Sequence, residues 1–255
     1  MPPQSGEAGN HWTSHEDPGH YAGGCGRPLD LRLSHILKYP QAVPIREKLA
    51  KRASKVGLAL SEASIEGLGA YFDLLRKWNR KVSLTSLPVE TDGDEAIDRL
   101  LLEPVIAARF LPKESSEVLD LGSGGGSPAI PIKIAAPETA LRMVESKTRK
   151  AAFLREVVRT LDLDRTSVDA VRFEELLSRP TLHDAVDVVT MRAVRVDRKR
   201  LAEVQSFIKP GGALFLFGAS SSAADLCAPY LTAESNHPLL KQWGSRLEIL
   251  RKLPV

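Results

Sequence analysis

The stretch that most constrains this chain is Val118-Leu-Asp-Leu-Gly-Ser-Gly-Gly-Gly-Ser-Pro-Ala-Ile-Pro-Ile132. A short apolar run ends in an acid, Asp120. Glycines follow at alternate positions, Gly122, Gly124 and Gly126, and an apolar segment of helical character comes next. This predicts a strand, a tight turn and a helix N-terminus, with a turn whose backbone can approach a ligand because glycine has no Cβ and tolerates positive φ. Beyond residue 117 the pattern alternates. Strands are expected at Val118–Leu121, Leu141–Val144, Ser167–Val171, Val186–Thr190 and Ala213–Phe217, with helices between them, notably Thr148–Leu161 and Arg198–Ile208. Pro210-Gly-Gly212 reads as a turn, and Arg246–Leu253 as an antiparallel edge strand. Repeated β-α units of this kind imply an α/β fold, a parallel sheet with helices on both faces.

The acid before the glycines gives D-x-G-x-G-x-G, a pattern typical of proteins that bind S-adenosylmethionine. Gly124-Gly-Gly-Ser-Pro-Ala129 also fits the loose dinucleotide form G-x-G-x-x-A. A pyrophosphate needs free amides at the helix N-terminus. Pro128 and Pro131 each remove one, whereas a sulfonium amino acid, which carries no phosphate, loses nothing. A glycine turn without a ligand is the remaining alternative.

The chain has 255 residues, enough for one domain with additions or two small ones. The apolar run Ala213-Leu-Phe-Leu-Phe217 is too short to span a bilayer, and no apolar signal segment lies in the first forty residues. Cys25 and Cys227 cannot build a disulfide framework or a cysteine-rich metal site. A cytoplasmic protein with no membrane and no metal is expected. Net charge is only +3, but basic residues group at Arg46–Lys55, at Arg76–Lys81 and at Arg192–Arg200. Each group alone reads as a solvated helix face; three groups flanking the glycine motif favour a phosphate-backbone partner.

Residues 1–40, rich in Gly, Pro, His and Ser, are expected to be a disordered extension; the spacing of His11, His15, His20 and Cys25 fits no standard zinc pattern. Residues 41–112 are expected to form a helical N-terminal region. Its helices begin near Pro44, near Ser61 as N-cap, and at about Glu95 to Phe110. Trp78 falls on an apolar stripe with Ile65, Leu68, Phe72 and Leu75 and reads as core rather than as a base-stacking platform. Residues 113–255 form the expected ligand-binding domain.

In an open α/β sheet, ligands bind beyond the carboxyl ends of the strands. Strand one supplies Asp120 and the loop Gly122, Ser123, Gly124 and Gly126. Strand two ends at Glu145, 25 residues after Asp120, where a carboxylate can accept from both hydroxyls of a ribose, favour the dipole of the following helix, or do both. Strand three leads to Arg172, Phe173 and Glu174, where an adenine ring is expected, and strand four to Thr190-Met-Arg192.

From about Tyr71 to Gly218 the sequence resembles the bacterial small-subunit ribosomal RNA guanine-N7 methyltransferases, the RsmG or GidB family. The resemblance rests on Trp78-Asn-Arg-Lys-Val-Ser-Leu-Thr85, Asp120-Leu-Gly-Ser-Gly-Gly-Gly-Ser-Pro-Ala-Ile-Pro131, Glu145-Ser-Lys-Thr-Arg-Lys-Ala-Ala-Phe-Leu-Arg155 and Val188-Val-Thr-Met-Arg-Ala-Val194. It implies a Rossmann-like class I S-adenosylmethionine-dependent methyltransferase sheet of seven strands, with a short helical N-terminal region. It also implies a guanine of 16S ribosomal RNA, naked or in the small-subunit particle, as substrate, and a monomeric enzyme is expected. Carried over by position, Gly122, Gly124 and Gly126 would line the methionine part of the cofactor, Glu145 would hold its ribose, and Phe173 and Glu174 would lie against its adenine. Arg149 and Lys150 match the family's Lys-Arg pair and, with Arg195, are expected to meet RNA; Arg192 matches the arginine that faces the reaction site. The chain departs from the family at Ser83, where Asn is usual, at Leu100-Leu-Leu-Glu103, where His-x-x-Asp is usual, and at Phe217, where lysine is usual.

The residues after strand four bear on the atom methylated. Thr190-Met-Arg-Ala lacks the Asn/Asp-Pro-Pro-aromatic segment used on exocyclic amines, and neither cysteine is placed as a nucleophile for pyrimidine C5. Guanine N7, with a free lone pair and no proton, needs only alignment. Arg192 is then expected to donate to a phosphate or to guanine O6, or else to be a structural arginine paired with an acid. The competing functions are the same cofactor fold acting on a small molecule or protein, an inactive RNA-binding or assembly factor, and, last, a dehydrogenase.

Overall fold

The computed structural model describes residues 44–91, 93–112, 116–193, 197–218 and 229–254. The expected disorder of residues 1–40, and Arg195, lie outside them. Seven strands form one sheet: β1 (Glu117–Leu121), β2 (Ala140–Val144), β3 (Thr166–Asp169), β4 (Val186–Arg192), β5 (Ile208–Gly218), β6 (Leu231–Pro238) and β7 (Arg246–Lys252). Their order is β3-β2-β1-β4-β5-β7-β6. The first five are parallel, and β7 runs antiparallel to both β5 and β6. This is the Rossmann-like sheet expected from the sequence. Arg246–Lys252 is antiparallel as foreseen, but it is an inner strand. The edge is β6, which the sequence reading missed because seven of its eight residues are at least partly exposed and carry no apolar alternation.

Before the sheet come α1 (Ile45–Lys55) and α2 (Glu62–Asn79), the latter capped by Ser61, whose side chain accepts from the Ser64 amide at 3.1 Å. The expected third helix is a broken run: α3 (Asp94–Ile97), a π-helical turn over Asp98–Leu102, α4 (Glu103–Ala107) and a 3-10 turn to Phe110. After β1, helices α5 (Ala129–Ala135), α6 (Thr148–Thr160), α7 (Phe173–Leu176) and α8 (Arg198–Val204) alternate with the strands.

Alternation along each strand divides the core. Val118, Val188, Phe215 and Phe217 join Leu49, Tyr71, Phe72, Leu101 and Phe153 on the helical-region side of the sheet. Leu119, Val189, Leu214 and Leu216 join Leu176, Leu201, Val204 and Phe207 on the other. The N-terminal helices and the sheet therefore share one apolar layer. Trp78 lies in it, its ring 5.8 Å from that of Phe153, as core.

A candidate ligand cleft at the strand ends

The loop after β1 is shaped by its glycines. Gly122, Gly124 and Gly126 hold φ of 74°, 52° and 86°, the left-handed region that side chains avoid. A Cβ at Gly126 would stand 2.8 Å from Ile130 Cγ1 and 3.2 Å from Leu154 Cδ2. Gly126 is thus demanded by helix packing; it is buried and, contrary to expectation, is not among the residues that line the cleft. The Tyr71 hydroxyl donates to the Gly125 carbonyl at 2.6 Å and pins the loop from below; burial pushes its pKa up, so it remains a phenol donor.

A cleft of about 590 Å³ opens above this loop. Gly122, Ser123, Gly124 and Gly125 line one side with Glu145 and Lys150. Leu84–Leu87, Arg99 and Leu100 line a second, and Arg192, Ala193, Phe217, Gly218, Trp243 and Ser245 close the far end. The Asn79 side chain shapes the 84–87 wall, accepting from the Leu84 and Thr85 amides at 2.9 and 3.1 Å. Asn79 belongs to the Trp78–Thr85 motif, so the motif's work is to build this wall.

Glu145 directly follows β2, at the strand's carboxyl end as expected. One oxygen accepts from the Gly124 amide at 2.9 Å and the other from the Lys147 amide at 2.7 Å. It ties the glycine loop to the start of α6. Asp120 does not line the cleft: it is 1% exposed, directly under the loop, and accepts from the Thr190 hydroxyl at 2.5 Å. Its second oxygen has no partner among the described residues. Burial raises this carboxyl to about 6, against the hydroxyls of Ser123 and Thr190 and the charge of Arg192, while neighbouring Glu145 adds to the rise.

Arg192 reaches the cleft wall, but its guanidinium is largely committed. It ion-pairs with the fully buried Glu103 and donates to the Arg99 carbonyl and, at 3.1 Å, to Ser127 Oγ; Glu103 also accepts from the Ser245 hydroxyl. Burial lowers the Arg192 pKa and raises that of Glu103, and each charge offsets the other's displacement. Glu103 lies in the Leu100-Leu-Leu-Glu103 segment, where the departure from the family pattern keeps an acid. Sequence reasoning offered an acid partner for Arg192 without naming it.

Arg172, Phe173 and Glu174 are not among the residues that line the cleft. Arg172 is the exposed N-cap of α7, Phe173 packs in the second core layer under the Arg200 guanidinium at 5.0 Å, and Glu174 pairs with Arg200 at 3.5 Å. Lys150 lines the cleft, while Arg149 is exposed. Much of the basic character is met by acids within the chain: Arg46 by Glu66, Arg52 by Asp98, Arg76 by Asp73 and Arg80 by Glu90. Among the described residues no group of three or more His, Cys, Asp or Glu could hold a metal, and no helix is long and apolar enough to cross a membrane. The cleft residues that the sequence did not disclose are Leu84–Leu87 and Ser127, which lie in or beside the quoted motifs without standing out there, and Arg99, Trp243 and Ser245, brought in by folding from segments without a ligand signature.

A family model, rRNA small subunit methyltransferase G, matches residues 64–236. Ribosomal RNA small subunit methyltransferase G of Sorangium cellulosum is 33% identical over 194 residues, covering 74% of this chain and 80% of that protein. The protein of the same name from Roseiflexus castenholzii is 38% identical over 148 residues, and the match spans 58% of this chain but only 62% of that relative's length. Among solved structures, PH0793 from Pyrococcus horikoshii superposes with a TM-score of 0.50 at 15% identity, over 60% of this chain and 63% of that one, a likeness of fold alone.

Proposed function

This chain belongs to the rRNA small subunit methyltransferase G family, and from that premise we propose that it is an S-adenosylmethionine-dependent methyltransferase acting in the cytoplasm on N7 of a guanine in small-subunit (16S) ribosomal RNA. The observation that carries the reading is the charge at the floor of the cleft. A glycine loop stands over one buried carboxylate, Asp120, and beside a second, Glu145. That environment favours a cationic, hydroxyl-bearing ligand and opposes a pyrophosphate, which would meet two carboxylates and a helix start interrupted by Pro128 and Pro131.

Gly122, Ser123 and Gly124 would hold the amino-acid portion of the cofactor, and Glu145 its ribose. When bound, S-adenosylmethionine supplies an electrophilic methyl on a sulfonium. Asp120 acts through its field, because the loop separates it from the cleft. The buried Glu103 carboxylate cancels the charge of Arg192 and fixes its plane, so the N–H groups Arg192 still has free would meet guanine O6 or a phosphate without adding net positive charge beside a base that becomes cationic. No side chain at the end of β4 is a general base, in keeping with a nucleophile that loses no proton. Lys150, Arg149 and Arg195 are the proposed RNA contacts; with the other basic groups so often paired to acids, the RNA reading rests on the family.

The test is transfer of labelled methyl from S-adenosylmethionine to small ribosomal subunits, and to 16S ribosomal RNA stripped of protein, both lacking native methylation. Label in either supports the reading. Label in neither, with the cofactor bound, returns the chain to the alternative of an inactive RNA-binding factor.

A further inference from the structure

We propose that Trp243 is the platform on which the target guanine stacks, and that its indole face favours the methylated, cationic form of the base over the neutral one. The inference rests on the guanine-N7 reading above.

Trp243 lies outside the family match, which ends at residue 236, on a 3-10 turn (Lys241–Trp243) leading into β7. It lines the same cleft as Arg192 and Phe217, at the carboxyl ends of β4 and β5, where the acceptor side of an open α/β site is found. Its single polar atom is already spent: Nε1 donates to Asp98 Oδ2 at 2.8 Å. The ring is half-buried, packed in part against the core, and what remains for the cleft is its carbon skeleton, with no polar atom to spare.

Its orientation is held firmly. Asp98 is fully buried at the start of the π-helical turn and also accepts from Arg52 Nε at 3.0 Å and from Gln242 Nε2 at 2.9 Å. The following Gly244 turns the chain away at φ 62°. A ring fixed by this network meets a ligand without loss of rotamer freedom.

The chemistry gives such a ring a preference. The guanine N7 lone pair forms the new C–N bond as the methyl's C–S bond breaks, the bonding pair stays on sulfur, and the purine gains the positive charge; no proton moves. Stacking on an aromatic face serves any base, but tryptophan is the strongest cation–π partner, so the contact strengthens as charge develops on the purine. An interaction that is stronger in the transition state than in the ground state raises kcat. Arg192 does not cancel the gain, because Glu103 neutralises it.

The experiment measures binding of guanosine 5′-monophosphate and its 7-methyl derivative by calorimetry, on the full chain saturated with S-adenosylhomocysteine. The wild type is expected to bind the 7-methyl nucleotide about five- to tenfold more tightly. Trp243→Leu should bring the two affinities within about twofold of each other, and Trp243→Phe should keep part of the preference. A merely structural tryptophan would move both affinities together. A preference that survives in Trp243→Leu, no preference in the wild type, or binding of neither nucleotide overturns the proposal. Small-subunit methylation by the wild type, assayed in parallel, separates the two readings. Its absence beside a Trp243-dependent preference sinks the functional reading alone. Its presence beside a Trp243-independent preference sinks only the platform.

Discussion

Asp120→Asn is the variant that probes the floor of the cleft. The carboxyl has an ordinary value of 3.8 and is raised by burial to about 6 in the folded chain. A group whose folded pKa is raised favours folding while protonated. Its contribution is fully present below about pH 3.8, declines as pH rises, and levels off above about pH 6. With one pKa unit equivalent to about 1.4 kcal/mol, the ionised carboxylate costs folding about 3 kcal/mol at neutral pH. The amide keeps an acceptor for Thr190 Oγ1 but places an NH2 group where Oδ2 has no partner, a cost of about 1–3 kcal/mol that does not vary with pH. The decisive quantity is therefore the slope. Urea denaturation of both proteins should show Asp120→Asn gaining about 2 kcal/mol relative to wild type between pH 4 and pH 8. Over the same range cofactor affinity should fall several-fold in the variant at pH 8 and match wild type at pH 4.5. A stability difference that stays constant with pH, or that moves against the variant as pH rises, would refute the reasoning that a costly anion is kept under the loop to favour a cation.

Glu103→Ala strands the Arg192 guanidinium in a buried site and should destabilise the chain by about 3–5 kcal/mol in urea titrations; a loss under 1 kcal/mol would contradict the pairing. Replacing both partners together, Arg192→Met with Glu103→Leu, should recover most of that stability while methyl transfer stays lost, which a coupled denaturation and activity assay would read. Gly126→Ala must absorb both a φ of 86° and a Cβ 2.8 Å from Ile130, so its melting temperature should drop well below that of Gly211→Ala, where φ is 79° but the space is open. For the rate, kcat/KM for the cofactor should rise from pH 5 through about 6 as Asp120 ionises and stay flat from 7 to 9; a rise with slope one across 7–9 would reveal a general base.

The parts of this protein legible in its sequence are those whose local chemistry is self-sufficient. The loop after β1 and the acid that follows β2 carry their signal in a few adjacent residues, and the central parallel strands β1, β4 and β5 declare themselves as buried apolar runs. Gly126 was legible as a glycine that matters but not for its reason, because only the packed positions of Ile130 and Leu154 reveal the close approach. The π-helical turn at Asp98–Leu102 keeps a helical apolar pattern, so periodicity passes over it. The pairing of Glu103 with Arg192 joins residues 89 positions apart, and Trp243 enters the cleft from a polar segment beyond β6. Contacts of that kind are set by strand order, and nothing in the neighbouring sequence announces them.

Methylation at guanine N7 leaves a chemical mark that can be read directly. The most direct test is to incubate undermethylated small subunits with the protein and S-adenosylmethionine, extract the 16S ribosomal RNA, and cleave it with chemistry selective for 7-methylguanosine. One new scission site is expected, which requires both protein and cofactor and vanishes with Glu145→Ala. Methyl label in the RNA without any scission would contradict N7 methylation, placing the methyl on another atom.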